Sequence, residues 1–150
     1  MEINELEFDR NLLGVNHSAG TFYVTHEAIL GYCQSIGETA SIHTNEAAAK
    51  AAGHPALMAP PAFCSVFVRG LDRPDIKLNF GQTGFHAGEA IDILSPIYSG
   101  DTLVANTSLK EVYTKTGRSG TMVFIVWETF FTNQHGLVVT AIRESHVRRE

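Results

Sequence analysis

Within Ile36-Gly37-Glu38-Thr39-Ala40-Ser41-Ile42-His43-Thr44-Asn45, a carboxylate and an imidazole stand five positions apart. Such a pair can hold a water molecule and move its protons. Histidine titrates near neutrality, and a neighbouring carboxylate can orient its ring and tune it. The same spacing also suits two ordinary loop residues, one solvated and one capping a helix, so spacing alone does not assign the pair. His86 and Glu89 flank Gly88 just ahead of a β-rich run. They read either as a polar pair lining a pocket or as an exposed turn leading into a strand. His17, His26 and His54 have no convincing partners, His135 falls in a turn, and His146 lies near the end. No His, Cys and carboxylate share metal-ligand spacing, so no metal site is expected. No glycine-rich phosphate loop follows a strand. Cys33 and Cys64 lie far apart in apolar helical stretches and are expected as buried free thiols.

The elements that must position these groups follow from pattern and punctuation. Residues 1–19 are polar and irregular, and residues 21–24 read as a short strand. Thr25 has the character of a helix N-cap, with Glu27 in the first turn. Ala28, Ile29, Tyr32, Cys33 and Ile36 recur at helical spacing until Gly37 ends the run. A loop over residues 38–43 then carries Glu38 and His43. Thr44 is expected to cap an alanine-rich second helix over residues 45–52, stopped by Gly53 and Pro55. Residues 57–68 are apolar nearly all round. Pro60 and Pro61 can open a helix but not sit inside one, so a third, long and buried helix is expected after them.

Beyond residue 85, residues 90–94, 102–113, 121–132 and 137–147 read as strands. The breaks Ser99-Gly100-Asp101, Thr116-Gly117-Arg118-Ser119-Gly120 and Asn133-Gln134-His135-Gly136 are turn-like. Short turns imply antiparallel neighbours. Helices first and a meander of strands afterwards make an α+β class. A long buried helix wrapped by a curved antiparallel sheet is the hotdog architecture.

Composition narrows the partners. The 150 residues suit one domain over 1–150, with a hydrophobic fraction of 44% and a charged fraction of 18%. A net charge of −5 argues against nucleic acid and anionic membranes. The sequence has no apolar run long enough for a membrane span. The acidic start lacks the basic and then apolar order of a signal peptide, so a cytoplasmic location is expected.

The segment 36–45 resembles the motif of MaoC-like hydratases, also called (R)-specific enoyl-CoA hydratases, whose pattern is Gly-Asp-x-Asn-Pro-(apolar)-His-x-Asp. Gly37 matches the glycine, Glu38 takes the Asp place, His43 takes the His place, and Asn45 stands where Asp is frequent. Ala59-Pro60-Pro61-Ala62-Phe63 is similar to the Ala-Pro-Pro-Thr-Phe signature of the N-terminal MaoC dehydratase type. Phe85-His86-Ala87-Gly88-Glu89 and Pro96-Ile97-Tyr98-Ser99-Gly100-Asp101-Thr102-Leu103 resemble that type's following strand pair. The resemblance implies hydration of trans-2-enoyl thioesters to (R)-3-hydroxyacyl thioesters, or the reverse dehydration. It implies catalysis by Glu38 and His43, and a substrate site of Pro60, Pro61, Ala62 and Phe63 with His86, Gly88 and Glu89. The substrate is expected to be an acyl-CoA thioester, with no cofactor. The expected assembly is a homodimer or a heteromer with a second hotdog subunit.

Where the sequence leaves the pattern, the departures have physical meaning. Glu38 in place of Asp carries its carboxylate one methylene further out, and a misplacement of about 1 Å can cost on the order of 100-fold in rate. Ala40-Ser41 replaces Asn-Pro, which removes an amide hydrogen bond and a rigid ring. Pro60-Pro61 stands where the active enzymes carry a glycine whose N–H serves the oxyanion, and proline has no N–H. Losing one such donor costs roughly 100- to 1000-fold. These departures favour an alternative, a non-catalytic subunit that binds the acyl chain beside a catalytic partner. An acyl-CoA thioesterase is the other alternative. Thioesterases of this fold place a carboxylate on or near the central helix, and none lies between Pro61 and Arg69.

Overall fold

A computed structural model describes residues 5–150, so Met1 to Asn4 of the acidic N-terminal stretch lie outside the described residues. Five strands make one antiparallel sheet: β1 (Asn16–Tyr23), β2 (Thr83–Ile93), β3 (Thr102–Gly117), β4 (Gly120–Thr132) and β5 (Val138–Arg149). Their spatial order is β1-β3-β4-β5-β2. Side-chain alternation explains how the sheet lies. Along β3, Leu103, Ala105, Thr107 and Leu109 are buried and face the core, while residues between them are more exposed. Ile125, Val126 and Trp127 on β4 are buried in succession, as a central strand covered on both sides requires. The β3–β4 hairpin turns at Arg118-Ser119 and re-enters the sheet at Gly120, whose φ of 102° favours glycine.

Helix α1 (His26–Ile36) begins where the Thr25 hydroxyl accepts the Ala28 N–H at 3.0 Å. It ends at Gly37 in the left-handed region. The segment expected as a loop holds a single helical turn, α2 (Ser41–Thr44), which carries His43. Helix α3 (Glu46–Ala51) starts one residue later than expected. Asn45 caps it instead of Thr44, with its side chain accepting the Ala48 N–H at 2.9 Å. Thr44 turns its hydroxyl back to the Ala40 carbonyl.

The hotdog class holds, but the central helix differs from the expected long, fully buried one. Phe63–Gly70 is a 3-10 helix of 8 residues. The Ala62 carbonyl accepts both the Ser65 N–H at 3.1 Å and the Ser65 hydroxyl at 2.8 Å. That local competition favours the tighter i+3 pattern over an α-helix. Only Phe63 and Cys64 are buried, while Val66 is 45% exposed. Phe63 meets Phe67 edge-on at 5.4 Å, and Phe67 packs against Phe22 at 4.8 Å, which anchors one face of the helix. The opposite face is open beside the edge strand β2.

Two apolar clusters fill the interior. One joins α1 and the Phe63–Gly70 helix to the sheet through Ile29, Cys33, Phe63, Phe131 and Ile142. The other gathers Leu6, Ile76 and Phe80 over Leu109, Val123 and Trp127. The first 19 residues are thus less irregular than expected: Arg10–Leu12 form a 3-10 turn and β1 starts at Asn16. Both cysteines are free and buried. No helix among the described residues is long and apolar enough to cross a membrane.

Candidate active site

The backbones of Glu38 and His43 both bond to Cys33, yet each side chain is held by a different backbone group. Glu38 is half-buried, and its Oε1 accepts the Ala40 N–H at 2.9 Å. His43 is only 7% exposed, and its Nδ1 lies 2.7 Å from the Met58 carbonyl. A carbonyl only accepts, so Nδ1 carries a proton, and in the neutral ring the lone pair is on Nε2. The Cys33 thiol donates to the His43 carbonyl at 3.4 Å. Burial, and then the nearby Glu38 charge, push that thiol above its ordinary range.

Met58 links His43 to an apolar cleft. Its N–H donates to the Ile42 carbonyl at 3.2 Å, while the Ala59 N–H donates to the Ile97 carbonyl at 2.8 Å. Past this crossing a cleft of about 190 Å³ opens between Pro60, Pro61, Ile93, Leu94 and Pro96. Of the sequence-predicted substrate residues, Pro60 and Pro61 line this cleft, and Ala62 and Phe63 do not. Phe63 is buried in the core and meets the ring of Tyr32 edge-on at 5.7 Å.

His86 and Glu89 line a different pocket, of about 450 Å³, beyond the Phe63–Gly70 helix. They lie within β2, not ahead of it as the sequence had suggested. Residues three apart on a regular strand face opposite sides. Here the register with β5 runs His86↔His146 and then Gly88↔Ser145, leaving Ala87 as an extra residue. The bulge turns His86 and Glu89 to the same side. Gly88 belongs to the bulge and does not line the pocket.

Three residues that sequence reading passed over complete this pocket: Arg73, Glu144 and His146. Glu144 is 1% exposed, and the Arg73 guanidinium binds its Oε1. Arg73 also donates to Thr129 Oγ1 at 3.3 Å, and Thr129 pairs with Thr107 at 2.9 Å, so a polar chain crosses β5, β4 and β3 beneath the surface. The Nε2 atoms of His86 and His146 approach Glu144 Oε2 to 3.4 and 3.6 Å. Even so, Glu144 Oε2, Arg73 Nε and His146 Nε2 have no hydrogen-bond partner. Burial pushes the Glu144 carboxyl up, but His146 and Arg73 outweigh it and the net shift is downward. Its cross-strand neighbour Glu89 moves the other way, raised by burial and then by the Glu144 charge, against an opposing pull from His86. A signal for Glu144 was present in the sequence. It occupies the inward-facing position between Ile142 and His146 on an alternating strand, where a carboxylate needs a buried partner.

Among the described residues, no group of three or more His, Cys, Asp or Glu is arranged to hold a metal ion.

The family described as FAS1-like, dehydratase domain region matches residues 11–142. A UPF0336 protein of Clavibacter michiganensis is 27% identical over 137 residues, spanning 87% of this chain and 89% of that protein. The structure is similar to that of the C-terminally truncated HadBC (3R-hydroxyacyl-ACP dehydratase) complex from Mycobacterium tuberculosis. That match has a TM-score of 0.70 at 16% identity and covers 92% of this chain and 98% of the other. A MaoC-like dehydratase from Rhodospirillum rubrum matches with a TM-score of 0.68 at 18% identity, over 100% of this chain and 98% of its own.

Proposed function

The chain belongs to the FAS1-like dehydratase domain region family, and from that premise we propose that it hydrates trans-2-enoyl thioesters or dehydrates (R)-3-hydroxyacyl thioesters. The resemblance to MaoC-like dehydratases read from its motifs is borne out by the family match and by the shared hotdog fold. The observation that carries the reaction is the fixed tautomer of His43. A buried imidazole bonded through Nδ1 to the residue that leads into the apolar cleft offers Nε2 as a base. In this reading Nε2 takes a proton from water as the water oxygen bonds to the β-carbon, and the His43 imidazolium returns that proton to the α-carbon. Glu38, just ahead of the α2 turn that carries His43, provides the carboxylate. The acyl chain enters along Pro60 and Pro61. The substrate is an acyl-CoA thioester, and no bound cofactor takes part.

The unit of function is a pair of hotdog subunits. Strand β2 pairs only with β5, so its other edge is open over residues Thr83–Ile93. An open edge of this length needs cover. Phe85, Ile93 and Val66 are 45%, 47% and 45% exposed on and beside it, which suits a second subunit adding strand to strand. Another copy of this chain or a related hotdog fits that edge, and the complex named for the HadBC relative is a precedent for the second.

One pair of observations favours a second reading, in which the chain is the acyl-binding half and its partner does the chemistry. The Glu38 carboxylate is engaged by the Ala40 N–H, and Pro60 and Pro61 have no N–H for an oxyanion. Purified protein mixed with a short trans-2-enoyl-CoA separates the two readings through loss of the conjugated enoyl absorbance. Turnover that disappears in His43→Ala and Glu38→Ala supports the self-sufficient hydratase. A folded, inactive chain that gains activity only with a catalytic hotdog subunit, and keeps it in both variants, supports the acyl-binding half.

A further inference from the structure

The pocket beyond the Phe63–Gly70 helix is not used by that reaction, yet it is lined by His86, Glu89 and Glu144 together, with the His86 imidazole 3.4 Å from the Glu144 carboxylate. We propose that this pocket is a second acid–base centre that hydrolyses acyl thioesters, with His86 as the base, Glu144 positioning it, Arg73 holding Glu144, and Glu89 as the acid. The choice of a thioester rests on the family reading above; the centre itself rests on this chain's own side chains.

The geometry is built rather than incidental. A β-bulge exists only where the strand gives up a regular pair, and this one serves to aim His86 and Glu89 into the same pocket. Glu144 is buried to 1% exposure, and its Oε2 has no hydrogen-bond partner, with the His86 Nε2 at 3.4 Å. A buried acceptor left open in this way is costly unless something fills it, and an imidazolium formed during reaction would do so. Arg73 fixes the carboxylate from the other side. Burying such a polar chain adds little stability compared with an apolar replacement, so its presence calls for a function.

Opposite roles for the two carboxyls follow from their surroundings. Glu144 has Arg73 and His146 to hold it ionised. Glu89 sits opposite Glu144 across the strand pair, and two adjacent carboxylates resist both being charged. Arg69 and Ser65 from the helix, Arg73 from the segment after it, His86 on β2, and Glu144 and His146 on β5 complete its surroundings. Burial, and then the Glu144 charge, raise the Glu89 carboxyl above its ordinary range against an opposing pull from His86, which favours its protonated form relative to a free glutamate.

The step balances. His86 takes a proton from water as the water oxygen bonds to the thioester carbonyl carbon. The carbonyl electrons move onto oxygen. On collapse, the carbon–sulfur bond breaks, and the departing sulfur takes the Glu89 proton. The products are a carboxylic acid and a free thiol, and Glu89 regains a proton from the His86 imidazolium. The sequence argument against hydrolysis, that the helix carries no carboxylate, is met by carboxyls that reach the pocket from strands β2 and β5 instead.

A saturated thioester tests this directly, because hexanoyl-CoA has no double bond to hydrate. The purified chain is incubated with hexanoyl-CoA, and released thiol is followed with a thiol-reactive chromophore. Wild type is expected to release thiol above the buffer rate, and Glu89→Gln and His86→Gln are each expected to lower kcat by about 100-fold or more with little change in KM. Glu89 is exposed, so its variant tests the idea even if Glu144→Gln folds poorly. If Glu144→Gln folds, it removes a charge that raises the Glu89 carboxyl, and the alkaline limb of the pH profile should move to lower pH. No thiol release from wild type, or release unchanged in Glu89→Gln and His86→Gln, overturns the proposal. Consumption of trans-2-enoyl-CoA by the same preparation would then leave the hydratase reading standing.

Discussion

The Glu38–His43 segment and the Glu144 pocket each offer a histidine and a carboxylate, but the chain supplies them in opposite ways. Glu38 and His43 are close in sequence, and their side chains turn to separate backbone groups, the Ala40 N–H and the Met58 carbonyl. His86 and Glu144 are far apart in sequence and meet at 3.4 Å across adjacent strands. In the first region each group is satisfied locally and the carboxylate stays partly in water. In the second, burial forces the groups to depend on one another, and unused donors and acceptors remain. Closeness along a chain therefore gives opportunity, while shared burial gives coupling.

The largest effect expected from this contrast is on stability. Glu144→Ala leaves the Arg73 guanidinium buried without its carboxylate, and should cost about 3–5 kcal/mol. Glu38→Ala removes one exposed hydrogen bond and should cost about 1 kcal/mol or less. Urea unfolding of the two variants measures both. Equal losses would mean that the pocket is not coupled as its geometry implies. His43→Ala falls between them. It leaves the Met58 carbonyl without its donor and should cost about 1–3 kcal/mol, in addition to any loss of hydration activity.

The cleft offers a sharper test on the catalytic side. Pro61→Gly restores a backbone N–H at the start of the Phe63–Gly70 helix. If the missing donor is what limits hydration, the variant should gain turnover, by up to about 100-fold, on trans-2-enoyl-CoA. A gain that is absent in a Pro61→Gly, His43→Ala double variant would tie the donor and the base to one site. An unchanged rate would favour the acyl-binding role for this half.

Most of the fold was legible because it is governed by local rules. The Thr25 cap, the Gly37 stop and the three long strands after Thr102 fall where capping, left-handed glycine and alternation put them. The central helix was less so. Its apolar composition suggested burial on all sides, but a face open beside the β2 edge needs apolar residues for a partner as much as a core does. Composition does not distinguish the two. Of the sites, the loop was visible as a motif, whereas the Glu144 pocket depends on the pairing of β2 with β5 and on a one-residue bulge. Neither can be read from one strand alone. His146, passed over as a residue near the end, acquired its role only through that register.

The subtlest difference between the regions lies in how stability answers to pH. The Glu144 carboxyl is held below its ordinary value by His146 and Arg73 despite burial, so its ion pairs contribute fully above about pH 4.3, the ordinary glutamate value, and that contribution is lost as pH falls through its depressed pKa. Glu89 has the opposite sign. Its raised pKa means the folded state binds the proton more tightly than the unfolded chain does. Its contribution is present below the ordinary glutamate value and declines as pH rises through the raised one. In Glu89→Gln that decline should vanish, so the variant gains relative to wild type as pH rises through the raised pKa. Thermal melts at a series of pH values would show it as a small divergence of the two Tm curves above pH 4.3. Parallel curves would mean that neither burial nor the Glu144 charge raises Glu89, which would remove the acid from the pocket while leaving the Arg73–Glu144 pair intact.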